Sequence, residues 1–142
     1  MALEQGQTTS FKVGLLTASF NFGTSTSQIY KLALYTSTAS LGPTTTAYTS
    51  TGEVSGSGYT AGGVVLTISQ VPTSSGTTAY INFSNAVWSA ALTARGGLLY
   101  LANGSTNPSV AVLDFGADKT STITFTVTFP ESTVDSALIR LE

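Results

Sequence analysis

Cysteine and histidine are both absent from this chain of 142 residues. Without cysteine the chain has no disulfide and no thiolate nucleophile, and without histidine it lacks the side chain that most often transfers protons near pH 7. The usual zinc ligands are therefore missing, and the seven carboxylates are scattered along the sequence. We expect no metal, no cofactor and no catalytic site, so the protein is predicted not to be an enzyme.

Charged residues are scarce as well. They make up 8% of the sequence, whereas soluble domains average about 25%, and serine and threonine together account for 44 residues. One interpretation is a small β-protein with a surface covered in hydroxyl groups. The interpretation that we favour is a surface largely buried against other subunits, because interface cores are depleted in charge. The net charge of -2 argues against nucleic acid as a partner.

Long apolar runs are also missing. No segment approaches the roughly 20 residues that cross a bilayer, and Met1–Gln5 lacks the basic and apolar regions of a signal peptide. We therefore expect no membrane partner and synthesis in the cytoplasm. The hydrophobic content of 42% excludes a disordered chain. The length fits one domain, predicted over residues 10–142 after a polar N-terminal arm of residues 1–9.

The most regular segment is Thr122–Phe129, in which threonine alternates with apolar residues. Successive side chains of a strand point to opposite faces, so the segment is predicted to present one apolar face. That face consists of Ile123, Phe125, Val127 and Phe129. A helical period would spread the same residues around the whole cylinder. The segment therefore predicts a strand that needs a second layer over its apolar face.

Short strand patterns recur along the rest of the chain, separated by turn signals. Further strands are predicted at Gln28–Thr36, Val64–Ser69, Thr78–Phe83, Leu98–Ala102, Val110–Phe115 and Ser136–Leu141. Asn85–Ala94 is ambiguous between helix and strand. Pro72 marks the end of one strand, Asn103-Gly104 indicates a hairpin, and Gly116–Lys119 is predicted to be a turn.

One short helix is predicted near the N-terminus, over Ser10–Leu16, with Ser10 as its N-cap and Phe11 and Leu15 on one face. A strand remains the alternative because Gly14 weakens the helix. With about eight strands and no alternation of strands with helices, the chain is predicted to be all-β. The expected architecture is an antiparallel β-sandwich of the jelly-roll or immunoglobulin kind.

The longest segment rich in glycine, serine and threonine is Leu41–Gly63. Structureless loops longer than about 12–15 residues are usually functional or disordered. This one carries Tyr48, Glu53 and Tyr59, and two aromatic residues with a charge are unusual in a flexible linker. We therefore predict an ordered surface loop that makes contacts between subunits.

A few single residues are candidates for a special role. Asp114 and Asp118 fit no calcium-binding loop, so carboxylates that accept backbone N–H groups in a turn are the favoured interpretation. Arg95 is the only charged residue between Glu53 and Asp114. It is predicted either to form a salt bridge or hydrogen bond at an interface or to be a solvated charge on a strand edge. Trp88 is predicted to lie in the core or to anchor an interface.

Five blocks of the sequence together resemble small structural proteins from the virions of tailed bacteriophages. The blocks are I-Y-K-L-A-L-Y-T-S at Ile29–Ser37, T-T-A-Y-T-S-T-G-E-V-S-G-S-G-Y-T-A-G-G at Thr45–Gly63, T-A-R-G-G-L-L-Y at Thr93–Tyr100, A-V-L-D-F-G-A-D-K at Ala111–Lys119 and A-L-I-R-L at Ala137–Leu141. The chain looks most similar to capsid cement (decoration) proteins of short-tailed phages of the Bordetella-phage type. The resemblance covers nearly the whole chain, and none of its blocks is a catalytic motif.

The resemblance implies a jelly-roll subunit that pairs as a homodimer on the outer surface of the virion. It would sit at two-fold and local two-fold positions between subunits of the major capsid protein, its other partner. The resemblance carries no contact residues, and from the sequence we predict interface positions at Phe11, Phe20, Phe22, Tyr48, Glu53, Tyr59, Trp88 and Arg95. The alternative function is a carbohydrate-binding or adhesive module of a phage tail or fibre.

Overall fold

The computed structural model describes residues 3–24 and 27–142. Within these ranges the chain forms ten strands and one short helix. In chain order they are β1 (Gly6–Gln7), α1 (Thr9–Leu16), β2 (Tyr30–Tyr35), β3 (Val64–Val65), β4 (Ile68–Ser75), β5 (Thr78–Phe83), β6 (Ala86–Trp88), β7 (Thr93–Leu101), β8 (Ser109–Thr120), β9 (Phe125–Val127) and β10 (Ile139–Leu141). In the same ranges no helix is long and apolar enough to span a membrane.

The strands form three antiparallel sheets. The largest has the order β1-β8-β7-β2-β3, the second has the order β10-β5-β4, and β6 and β9 form a pair. All three sheets contribute to one hydrophobic core, for example through Leu32 of β2, Phe83 of β5 and Phe125 of β9. The predicted all-β sandwich with one short helix is confirmed.

Strand β2 shows that both faces of the largest sheet are covered. Tyr30, Leu32 and Leu34 belong to the main core, whereas Ala33 and Tyr35 belong to a second core on the opposite face. The other buried residues of the second core are Leu3, Ala39, Leu41, Leu98, Tyr100 and Val112. The side chains of β2 thus alternate between the two cores, as those of a strand do. Because Ala39 and Leu41 follow β2 in the chain, the long connection after this strand supplies part of the second cover.

The strand predicted over Thr122–Phe129 is shorter than expected. β9 contains only three residues because its partner β6 offers only three for pairing. Phe125, Val127 and Phe129 are buried as predicted, but Ile123 is 78% exposed. The prediction for Ile123 is wrong because this residue lies before the paired segment begins.

Helix α1 begins one residue earlier than predicted, and its cap is a different residue. The Oγ1 of Thr8 accepts a hydrogen bond from the N–H of Phe11 at 3.3 Å, so Thr8 is the N-cap. The Oγ of Ser10, the predicted cap, lies 3.1 Å from the Oγ of Ser109 at the start of β8. Phe11 is buried and Leu15 packs against the same core, as predicted.

The described part of the predicted N-terminal arm lies along the largest sheet. Gly6 and Gln7 pair with β8, which places β1 at the edge of that sheet. Leu3 is buried, and the N–H of Glu4 donates to the carbonyl of Leu41 at 2.9 Å. These residues close the second core from one side.

The end of a strand predicted at Pro72 is wrong. β4 continues through this proline to Ser75, with register shifts between Ile68 and Gln70 and between Gln70 and Thr73. β4 is an edge strand of its sheet, and edges and bulges are where a strand tolerates a proline.

The turn predicted at Gly116–Lys119 is a bulge within β8. Gly96 of β7 pairs with Asp114, but Ala94 pairs with Lys119, so residues 115–118 have no partner on β7. Gly116 has a φ of 80°, which favours glycine and lets the chain bend there. β8 therefore continues beyond the bulge to Thr120.

The segments near β7 bear on three further predictions. Asn85–Ala94, which was ambiguous, contains the short strand β6. β7 begins before Leu98, because Gly96 and Gly97 also pair with β2. Asn103 lies in the hairpin between β7 and β8, as predicted, where its Oδ1 accepts from two backbone N–H groups.

Candidate partner-binding surfaces

The loop over residues 41–63 is held by the carboxylate of Glu53. Its Oε2 accepts from the hydroxyl of Tyr48 at 2.6 Å, and its Oε1 accepts from the hydroxyl of Tyr59 and the N–H of Gly62, both at 2.7 Å. The hydroxyl of Tyr59 in turn accepts from the N–H of Leu34 in β2 at 2.9 Å. One half-buried carboxylate thus fixes two tyrosines and a backbone turn onto the sheet.

Two further tyrosines hold the same loop from the sheet side. The hydroxyl of Tyr35 donates to the carbonyl of Thr49 at 2.6 Å, and that of Tyr100 donates to the carbonyl of Gly62 at 2.7 Å. The ring of Tyr48 stacks on that of Tyr100, with centroids 4.9 Å apart. The loop is therefore ordered within the subunit itself; whether it contacts another subunit stays a prediction.

The tyrosine hydroxyls of this network, which lie on Tyr35, Tyr48, Tyr59 and Tyr100, are held in their neutral form. Burial raises the pKa of all four, and the negative charge of Glu53 raises each further. The pKa of Tyr100 is raised to about 12. At neutral pH the four groups are hydrogen-bond donors, which is the role of a structural network.

Three of the predicted interface positions form an aromatic cluster inside the subunit. Phe20 meets Phe11 edge to face at a centroid distance of 4.9 Å, and Phe22 stacks on Tyr30 at 4.5 Å. Phe11 and Phe22 are buried, whereas Phe20 is half-buried. Phe11 and Phe22 therefore serve the core in this fold, and Phe20 keeps one side accessible.

Arg95 forms a salt bridge within the chain. Its Nε lies 3.1 Å from the Oδ1 of Asp114, across the β7–β8 pair. The same Oδ1 accepts from the N–H of Gly116 at 2.9 Å. This backbone bond, followed by the guanidinium, lowers the pKa of Asp114. A carboxylate that accepts a backbone N–H was the favoured interpretation for Asp114, and an interface role for Arg95 stays a prediction.

Trp88 lies in the core. Its ring is 3% exposed and sits between Tyr59, with ring centroids 6.3 Å apart, and Phe125, at 6.1 Å. The Nε1 of Trp88 has no hydrogen-bond partner among the described residues. Of the two interpretations given above for this residue, the fold places it in the core.

A groove with a volume of about 500 Å³ runs beside β9. One wall is made by Thr124, Thr126 and Thr128, whose side chains are exposed. The remaining lining residues are Phe115, Lys119, Thr120, Ser121, Phe125 and Val127. The alternation of threonine with apolar residues indicates this row in the sequence, but the groove cannot be read from it, because an open edge depends on the pairing of other strands.

A smaller apolar groove lies between α1 and the β10-β5-β4 sheet and has a volume of about 130 Å³. It is lined by Phe11, Leu15, Phe22, Pro72, Ala79, Tyr80, Ile81, Ile139 and Leu141. On the same two elements, Leu16 is 89% and Leu141 is 50% exposed. Exposed apolar side chains thus occur on both the helix and the sheet that form this groove.

Comparison with known proteins adds no relative to this description. No family model matches the chain, and no curated protein or solved structure is significantly similar to it. A function must therefore be argued from the chemistry of the chain and from the sequence resemblance described above. Among the described residues no three acidic side chains come together as a metal site would require.

Proposed function

We propose that this protein is a capsid cement protein that binds the outside of an assembled phage capsid as a homodimer and bridges major capsid subunits. The observation that carries the proposal is the combination of exposed apolar side chains with very few charges. Leu16 is 89%, Ile123 is 78% and Val65 is 60% exposed, yet charged residues make up only 8% of the chain. Such a surface resembles the centre of a protein interface more than a solvated exterior.

The exposed apolar residues lie on several elements rather than in one pocket. The largest of them are Val13, Leu16, Ile29, Val65, Val71, Val87, Ile123 and Leu141. A small-molecule site would concentrate such residues in one cavity. A bridge between capsid subunits would use such residues on more than one side of the subunit.

The adhesive alternative has less support. A sugar-binding platform needs an aromatic ring whose face is open, and stacked rings are the natural way to build one. The stacked pairs in the described structure are Phe22 with Tyr30, Tyr48 with Tyr100, and Tyr59 with Trp88. In every pair one ring is buried and the other is buried or half-buried. The groove beside β9 offers hydroxyl groups that a glycan could hydrogen-bond to. The experiment below therefore also measures glycan binding.

A protein that binds only the assembled capsid stabilises it by mass action. A ligand that binds only the assembled state stabilises it by about 2.7 kcal/mol at a concentration a hundredfold above its dissociation constant. A homodimer across a two-fold axis makes the same contact twice, so its second half binds at a high effective concentration. Modest contacts per subunit are then sufficient to hold a shell together.

The test compares capsids prepared with and without the protein. We expect complete capsids to rupture at a higher temperature, and purified protein added back to bare shells to restore that temperature. Binding should be seen with assembled shells and not with free capsid subunits. Equal rupture temperatures would refute the proposal, and saturable binding of a glycan by the isolated protein would favour the adhesive alternative instead.

A further inference from the structure

The second edge of β9 has no strand partner among the described residues. The N–H of Phe129 donates to the Oδ1 of Asn85, the residue before β6, at 3.0 Å. Because the backbone groups of alternate residues point to the same edge, those of Phe125 and Val127 also face β6. The opposite edge therefore presents the N–H and C=O groups of Thr124, Thr126 and Thr128, and these three residues line the large groove.

This edge lacks three of the features that normally keep strand edges from pairing. Its segment, Thr122–Phe129, contains no proline and no charge, and β9 pairs with β6 without a register shift. The two edges of the β10-β5-β4 sheet are protected, since β4 carries Pro72 and register shifts and β10 carries Arg140. Unlike those two edges, the β9 edge is open to pairing with another strand.

A second copy of this chain matches the β9 edge. A contact across a two-fold axis uses the same patch twice, so the patch must be complementary to itself. Antiparallel pairing about Thr126 places Thr126 opposite its own copy and Thr124 opposite the Thr128 of the other chain. Threonine pairs of this kind hydrogen-bond to each other, and no like charges meet. Lys119, the charged residue of the groove, lies on β8 and not on this edge.

We propose that two copies pair through β9 across a two-fold axis at Thr126, which joins the two β6–β9 pairs into one four-stranded sheet. The proposal deepens the proposed function and rests on it for the expectation of a homodimer, because it names the surface through which that dimer forms. The groove of about 500 Å³ beside β9 supplies the space for the second strand.

The first experiment measures molar mass in solution. Wild-type protein should have twice the chain mass of 14.6 kDa. Thr126→Lys places two positive charges opposite each other on the axis, so we expect the dissociation constant of the dimer to rise at least about tenfold. Thr73→Lys, on the exposed strand β4, is the matched control and should leave the dimer intact. Circular dichroism checks that both variants keep the β-sheet spectrum.

The second experiment uses the absence of cysteine from the chain. A hydrogen-bonded antiparallel pair has Cα atoms about 5.5 Å apart, within the range that a disulfide spans. Thr126→Cys should therefore form a disulfide-linked dimer under mild oxidation, whereas Thr73→Cys should stay largely unlinked.

Each outcome separates this inference from the proposed function. A wild-type monomer at every concentration, or a Thr126→Lys variant that dimerises as well as the wild type, would overturn pairing through β9. A dimer that depends on Thr126 but ignores bare capsids would refute cementing and leave the inference standing. If the protein binds and stabilises capsids but Thr126→Lys leaves its dimer intact, pairing through β9 is refuted and cementing stands.

Discussion

Glu53 is the residue on which the order of the long loop most depends. Its carboxylate accepts three hydrogen bonds, from Tyr48, Tyr59 and the backbone of Gly62. Glu53→Gln replaces one carboxylate oxygen with an NH2 group. That NH2 group is a donor, and it faces a hydroxyl or N–H donor that the oxygen had accepted from. Because hydrogen bonds to a charged group contribute about 1.5–3 kcal/mol, we expect the free energy of unfolding to fall by about 1–3 kcal/mol, measured by urea denaturation.

The control for this change is Glu131→Gln. Glu131 is exposed, and its carboxylate makes no hydrogen bond within the part of the chain that the structure describes. The same chemical change should therefore alter stability by less than about 0.5 kcal/mol. If the two variants were equally stable, the tyrosine–carboxylate network would not be what orders the loop.

The buried tyrosines predict a loss of stability in alkali. Their folded-state pKa values are raised above the ordinary value of 10, to about 12 for Tyr100. A group with a raised pKa contributes stability that is fully present below the unfolded pKa and is lost as the pH rises through the folded one. We therefore expect the free energy of unfolding to be lower at pH 11 than at pH 8.

Absorbance at about 295 nm, which reports ionised tyrosine, checks the mechanism directly. The absorbance of the five tyrosines with a raised pKa should increase together with the loss of the β-sheet signal in circular dichroism. A titration of all tyrosines centred near pH 10, with the fold unchanged, would contradict the burial that raises these pKa values.

At the scale of single elements, α1 offers a test in which two effects oppose each other. Gly14 is buried in the helix, and a Cβ added there overlaps the ring of Phe20. Alanine in place of a helical glycine gains about 1 kcal/mol, whereas overpacking costs about 1–3 kcal/mol. We expect the clash to prevail, so Gly14→Ala should lower the free energy of unfolding by about 1 kcal/mol in denaturant titrations.

Val13→Ala is the neighbouring control, because Val13 is 56% exposed on the same helix and makes no comparable contact. It should leave stability nearly unchanged. A Gly14→Ala variant more stable than the wild type would show that Phe20 moves aside at little cost and that the aromatic cluster does not constrain the helix.

The elements that the sequence predicts well are those whose pattern is local. β2 and β5 follow from alternating apolar residues, and the hairpin at Asn103 follows from its turn chemistry. The bulge at Gly116 and the passage of β4 through Pro72 could not be predicted, since both depend on which strands lie beside them. Local signals place strands but do not set the register or the edge of a sheet.

The candidate surfaces also divide into residues that a local pattern indicates and features that depend on packing. Tyr48, Glu53 and Tyr59 stand out in the sequence, and the structure brings all three together in one network. Burial of Trp88 was one of two interpretations left open, and only packing decides between them. The open edge at Thr126 could not be predicted, because it is defined by the lack of a further paired strand among the described residues, which no local pattern encodes.

At the scale of the whole molecule, the scarcity of charge predicts how the protein attaches to a capsid. Exposed ion pairs weaken when salt shortens the screening length from about 10 Å at 0.1 M to about 3 Å at 1 M. The chain offers only five basic and seven acidic residues, and Arg95 and Asp114 already neutralise each other. Attachment should rest on apolar and hydrogen-bonding contacts, so capsids washed in about 1 M sodium chloride should keep their full complement of the protein.

A comparison of salts at equal ionic strength makes this prediction specific. Sulfate strengthens the burial of apolar surface and chloride does so far less, whereas both screen charges to the same extent. We therefore expect the protein to be retained at least as well in sodium sulfate as in sodium chloride, measured as copies per capsid after washing. Release in both salts would mean that ion pairs hold the protein despite its few charges. Release in neither salt is the behaviour expected if residues such as Leu16 and Ile123 are buried against the capsid.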